Sequence, residues 1–242
     1  MIKFIAKSEQ LQKLVTSLQL TKKFYVSSLI VGEDHIGKRT LASYIMPEAP
    51  VVNGEDLQSV LDALSRHEEV IICNFTQISN FSLLNFDNKR VIATARYQPK
   101  DPVVDELFGY IYHLDPLRMR PEDTKALAQI FLQKACKTLS IDKEIELNAE
   151  HFDLSNNSKS LEKSIYKRIL FSDIGEEDIE QILYGFFIKS LEGDHDYKKF
   201  LPLFERPLLQ AGLQKYRSQL KLAGILGINR NTLRKKVNEY GL

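Results

Sequence analysis

Gly32, Gly37 and Lys38 stand in the run "IVGEDHIGKRTLASYI", where a hydrophobic strand enters a glycine-bearing turn and then a helical stretch. Backbone N–H groups and a lysine at that spacing can cradle phosphates. Yet His35, Ile36 and Arg39 are bulky for such a loop, and a β-carbon at position 35 restricts backbone that must approach a phosphate closely. A second group lies near the other end of the chain. Arg230, Asn231, Arg234 and Lys235 share one face of a short helical run, with donors able to reach base edges and phosphates in a major groove.

These groups need elements to hold them. Near the end, two amphipathic helices are expected at roughly 218–226 and 230–239. Gly227 supplies the turn, Asn229 caps the second helix and Gly241 ends it. Leu222, Ala223, Leu226, Ile228, Leu233 and Val237 fall where two steeply crossed helices would meet. Ahead of them a longer helix, about 197–216, carries Leu201, Phe204, Leu208, Leu209 and Leu213 on one side, and Pro207 is expected to kink or split it. In the first half, Leu29–Val31, Val70–Ile72 and Val91–Ala93 read as buried parallel strands.

The chain has 242 residues, 43% hydrophobic and 27% charged, with a net charge of +1. That balance is ordinary for a globular protein and hides an uneven distribution. Residues 215–242 hold seven Lys or Arg against one acid, whereas residues 172–196 hold eight acids and one Lys. No apolar run is long enough to span a membrane, and the first residues lack the pattern of a secretory signal, so a cytoplasmic, nucleoid-associated protein is expected. Cys73 and Cys136 sit apart in apolar contexts, read as buried thiols, and no metal-ligand spacing is present.

The run "GINRNTLRKKVNEYGL", with "ERPLLQAGLQKY" upstream, resembles the C-terminus of Fis and the DNA-binding end of NtrC-type enhancer-binding activators. The resemblance implies that Asn229, Arg230, Thr232, Arg234 and Lys235 line the DNA face, with Asn231 beside them. Gln219 matches at the start of the first helix. Arg217, Ser218 and Leu220 depart from the family there, which leaves Arg217 and Lys221 as electrostatic substitutes. It also implies a homodimer on double-stranded DNA, with Leu201, Phe204, Leu208 and Leu213 on the dimerisation helix. The apolar segment 179–191 is expected to join that interface.

Upstream, the phosphate loop resembles the GESGTGKE loop of the same activators' AAA+ domain at Gly32, Glu33, Gly37 and Lys38, while His35 and Arg39 depart. "KRVIATARY" resembles the sensor strand, with Thr94 at its polar position. "LDPLRMRPEDTKALAQIFLQKA" resembles the entry into the helical lid, and "LSNNSKSLEKSIYKRIL" a worn form of the lid's second motif. Hydrolysis needs an Asp to hold magnesium and a Glu to position water, and Asn74-Phe75 stand there instead. No Arg occurs between Arg96 and Arg118, Tyr110 lies near the finger position, and Lys159 replaces the lid's sensor arginine. The segment after Val52 is too short for the loop that touches sigma-54.

The expected architecture is an α/β domain of degenerate AAA+ type (residues 1–118), a helical lid (119–172) and an all-α Fis-like helix-turn-helix module (173–242). The expected function is a DNA-binding transcriptional regulator acting as a homodimer. It is not an enzyme, makes no productive sigma-54 contact and needs no cofactor. By default Lys38 is solvated or salt-bridged. Two alternatives stand beside it. One is an architectural protein that bends DNA. The other is a regulator switched by ATP or ADP binding through a vestigial site at Gly32, Gly37, Lys38 and Arg39.

Overall fold

The computed structural model describes residues 4–142, 145–172 and 174–242, and the chain divides into two compact units, residues 1–173 and 174–242. The first unit is built on five parallel strands in the order β2-β3-β4-β1-β5. These are β1 (Ser28–Val31), β2 (Val51–Asn53), β3 (Glu69–Cys73), β4 (Arg90–Ala95) and β5 (Tyr110–His113). The central strands read as unbroken apolar runs because both faces are covered. Successive side chains point to opposite sides, so Leu29 and Val31 enter one core while Ile30 enters the other. Ile71 and Ile92 join Ile30 against α1 (Glu9–Leu20) and α2 (Lys38–Ile45). Val70, Ile72, Val91 and Ala93 pack on the opposite side, with α3 (Leu57–Arg66) and α4 (Pro102–Leu107). Truncating one of these central isoleucines to Ala should cost about 2–5 kcal/mol.

Helix starts follow local chemistry. Asp56 caps α3 by accepting from the Ser59 N–H, and Asp101 caps α4 ahead of Pro102, whose missing N–H would have been unpaired anyway. α3 follows three residues after β2 and leads directly into β3, so the segment 54–68 has no room for an inserted loop.

The lid belongs to the same compact unit as the sheet but has a core of its own. Helices α5 (Pro121–Leu139) and α6 (Asn157–Phe171) pack through Ala128 and Ala135 against Leu161, Ile165 and Ile169. The first set recurs at seven residues and the second at four, which places each on one helical stripe.

The second unit contains α7 (Glu176–Ser190), α8 (Asp196–Tyr216), α9 (Gln219–Leu226) and α10 (Arg230–Tyr240). Pro202 and Pro207 lie inside α8, yet it continues as one helix through both, so Pro207 does not split it. Leu209, Leu222, Ala223, Leu233 and Val237 form the core of the last three helices. At Gly212 a β-carbon would collide with Leu222, so the absence of a side chain there sets how closely α8 and α9 pack. Both cysteines are half-buried rather than buried, and burial pushes the Cys73 thiol up.

Candidate nucleic-acid interface

α10 is anchored by Leu233 and Val237, which are almost wholly buried. Asn229 precedes it in extended conformation, and its side-chain oxygen accepts from the Asn231 N–H at 2.8 Å. Gly227 (φ 64°) and Gly241 (φ 65°) sit in the left-handed region at the turn and at the helix end, where glycine carries no penalty. With its inner side fixed, the helix exposes Arg230, Asn231, Thr232, Arg234 and Lys235. These are two guanidiniums, an amide, a hydroxyl and an ammonium on one face. The guanidiniums can form bidentate bonds to a guanine edge or to phosphate.

The start of α9 supplies further groups. Gln219 and Lys221 are exposed in its first turn, and the Lys221 ammonium lies 5.6 Å from the centre of the Tyr216 ring. Ser218 caps this helix, its hydroxyl accepting from the Lys221 N–H at 3.3 Å. Arg217 adopts φ 51°, a conformation that costs a residue with a β-carbon about 1–2 kcal/mol.

Not every base on α10 faces outward. The Lys236 ammonium donates to both oxygens of Glu205 on α8, at 2.5 and 2.6 Å, and the Tyr240 hydroxyl donates to the same carboxylate at 2.6 Å. These bonds hold the Glu205 carboxyl below its ordinary value and push the Tyr240 phenol up to about 12. This three-residue cluster is not apparent from periodicity. The four-residue interval from Lys236 to Tyr240 is its one local signal.

The dimerisation stripe requires a correction. Phe204 and Leu208 are exposed and Leu201 is half-exposed, but Leu213 packs with Tyr216 against the core of its own chain. At about 100° per residue, Leu213 lies roughly 40° from Leu209 and 140° from Leu208, which explains its inward direction. α7 carries Ile179, Ile182, Tyr184, Phe186, Phe187 and Ile188, and among the described residues it buries none of them fully. Phe186, Phe187 and Phe200 touch edge to face or tilted, with centroids 5.3–5.7 Å apart. Leu201 and Phe204 continue that apolar surface.

In the first unit the phosphate loop is bonded internally. The Lys38 ammonium is half-buried and, among the described residues, forms no salt bridge: it donates to the carbonyls of Gly32 (2.5 Å) and Glu33 (2.6 Å), and burial pushes its pKa down. His35 takes φ 59°, so the β-carbon does impose strain at that position. The lid then closes on the loop. Arg118 donates to both carboxylate oxygens of Glu33 at 2.9 and 2.5 Å. Asn157, 2% exposed, donates to Glu33 and to the Asp34 carbonyl and accepts from the Leu117 N–H. The Ser158 N–H and hydroxyl both donate to the His35 carbonyl. The hydrogen bonds from Arg118 and then from Asn157 lower the Glu33 carboxyl from 4.5 to about 2. Gly37 caps α2 in the left-handed region (φ 99°), and Arg39 points to solvent.

Phe75 is fully buried and packs against Phe81 and Phe108 at 5.1 and 5.0 Å. The Asn74 amide donates to the Asn53 side chain. Thr94 is buried beside the Cys73 thiol, Tyr110 is exposed on the edge strand, and Lys159 is exposed on α6. Among the described residues no cluster of His, Cys, Asp and Glu could hold a metal, and no helix is long and apolar enough to cross a membrane.

The family "Bacterial regulatory protein, Fis family" matches residues 200–240. The DNA-binding transcriptional regulator NtrC of Rhizobium meliloti (strain 1021) is 30% identical over 170 residues, covering 53% of this chain and 35% of its own length. The chain thus spans about a third of that relative. The DNA-binding protein Fis of Glaesserella parasuis is 36% identical over 70 residues, covering 27% of this chain and 70% of Fis. Among solved structures, NtrX from Brucella abortus in complex with ADP matches with a TM-score of 0.57 at 14% identity, over 100% of this chain and 70% of that one. At that identity the likeness concerns the fold alone, a parallel sheet with a helical lid and further helices after it.

Proposed function

The chain belongs to the Fis family of bacterial regulatory proteins, and from that premise we propose a DNA-reading regulator of the NtrC type that acts as a two-fold dimer and does not turn over ATP. One observation carries the DNA reading. α10 is rooted in the core by Leu233 and Val237, capped by Asn229, and leaves Arg230, Asn231, Arg234 and Lys235 exposed on one face. A single helix in one groove buries too little surface for specific binding at physiological salt. The partner that supplies the second helix is another copy of this chain. The open apolar surface of Leu201, Phe204, Leu208 and α7 supports that choice. Footprinting of the full chain on sequences selected from a random duplex pool tests the reading. A sharp pseudo-palindromic footprint is expected, and broad protection without preference would favour an architectural protein instead.

The absence of turnover is supported by Phe75 in the core and by the tie between Lys38 and its own loop carbonyls. It is further supported by the lack of any arginine from 97 to 117, since loss of a finger alone typically costs about 10³–10⁵ in rate. The uninterrupted passage from β2 through α3 to β3 supports a regulator that does not engage sigma-54. Phosphate release from ATP with and without DNA, against a Lys38→Ala control, tests it. Turnover well above the control would overturn it.

A second reading, nucleotide binding without hydrolysis, rests on a cavity of about 360 Å³ between loop and lid. Phe4, Ile5, Ile130 and Phe131 give it apolar walls of the kind that pack against a planar ring, with Arg120, Asp123 and Ser158 also lining it. Phosphates would have to draw Lys38 away from Gly32 and Glu33. Titration calorimetry with ATP and with ADP distinguishes this reading from an inert scaffold.

A further inference from the structure

Among the described residues, Lys236 is the one base of α10 bound within the chain, and its partner lies on a different helix. The Glu205 carboxylate accepts from Lys236 and from Tyr240, two residues one helical turn apart. Contact at two points one turn apart fixes both the rotation of α10 about its axis and its position along that axis. Leu233 and Val237 hold the helix to the core, but apolar contacts are non-directional. The charged bonds are directional, and they are only partly open to water, with side-chain exposures of 28% for Lys236 and 17% for Glu205.

The same bonds remove a charge from the DNA-facing field. Lys236 follows Lys235 directly, so a freed ammonium on a helix lying in a groove would sit within about 10 Å of phosphate oxygens, one Debye length at ordinary salt. Such a charge strengthens binding to every sequence alike, because phosphates carry no sequence information. Resting on the DNA reading proposed above, we infer that Glu205 is a positioning residue that sets sequence discrimination. It holds the rotation at which Arg230 and Arg234 meet base edges, and it keeps Lys236 from contributing to non-specific affinity.

The test uses the full chain, a duplex selected from a random pool by the wild type, and a duplex of scrambled sequence. Glu205→Gln should bind the scrambled duplex more tightly, with a salt dependence steeper by about 0.9 in slope. The ratio of selected to scrambled affinity should fall about tenfold, the size of one lost charge-assisted contact. Adding Lys236→Met should return the slope to the wild-type value while the ratio stays low. A Glu205→Gln protein with unchanged ratio and slope overturns the inference, as does one that loses affinity for both duplexes equally. Should Glu205→Gln fail to fold, Lys236→Met alone decides, because it keeps the aliphatic stem and is expected to lower the ratio at constant slope; an unchanged ratio overturns it. A wild type that shows no preference for any selected sequence removes the DNA reading itself, and the role of Glu205 with it.

Discussion

Lys38 and Arg230 occupy equivalent places, each the first residue of a helix that follows a turn, and they are used in opposite ways. The Lys38 ammonium is half-buried between two carbonyls of its own loop, and the loop's other polar groups are bonded to Arg118, Asn157 and Ser158 of the lid. Arg230 is exposed, and among the described residues no hydrogen bond or ion pair holds it. A phosphate loop and a DNA-reading helix both need cations poised for an anion. In the first unit Lys38 is turned inward onto its own loop, whose Glu33, Asp34 and His35 are bonded to the lid, whereas in the second Arg230 remains exposed. Readiness for a ligand is therefore visible as side-chain bonding capacity that the fold has not used.

That contrast can be tested from each side. The largest effect is expected at the apolar face of the second unit. Leu208→Glu places a charge in the proposed seam, should split the dimer in sedimentation, and should lower specific DNA affinity by more than about a hundredfold, since one half-site then binds alone. The first unit should keep its thermal transition. A dimer that survives this change would break the comparison at its strongest point.

Next comes the bonded loop. Asn157→Ala leaves the Leu117 N–H and the Asp34 carbonyl without their partner, a cost of about 1–3 kcal/mol for each buried group not rehydrated. Denaturant melts should show the loss in the first unit, with DNA affinity little changed. Comparable in size but opposite in consequence, Arg230→Ala should cost about 1–3 kcal/mol at a selected site and relax its preference. Lys235→Ala should weaken all sequences alike and flatten the salt plot by about 0.9. Uniform losses in both variants would show that the division between base and phosphate contacts is drawn wrongly.

The smallest effect concerns pH. The Glu33 carboxyl is held near 2 by Arg118, so its contribution to lid closure is complete above its ordinary 4.5 and disappears as pH falls toward 2. Protease cleavage in the lid should accelerate over that acid range in the wild type and less so in Glu33→Gln. Equal acceleration in both would assign acid opening to other groups.

Much of this arrangement was legible in the residues. The strands were found because both faces of a parallel sheet need apolar cover, which leaves runs such as Val70–Ile72 unmistakable. The DNA-binding helices were found because Gly227, Asn229 and Gly241 mark their ends by backbone chemistry that acts within a few residues. What stayed hidden acts across long separations. Asn157 reaches Glu33 over 124 positions, and no local spacing announces a bond of that kind. Leu213 was misassigned for a simpler reason: membership of an apolar stripe was judged by residue type, while the helical angle already grouped it with Leu209. Pro207 was read as a point where the helix kinks or splits, and α8 is not split there.

The exposed apolar length of α7 has a consequence for dosage. α7 bears three isoleucines and two adjacent phenylalanines, none of them fully buried among the described residues, and in the proposed dimer another copy would supply the missing burial. Under the two-fold reading, stability is then linked to concentration by mass action, and the melting temperature should climb as protein is added. The population able to engage an operator would grow as the square of a low monomer concentration rather than in proportion to it. A cell holding half as many copies would keep about a quarter of its operator-competent dimers, which makes abundance itself a control on what this protein regulates.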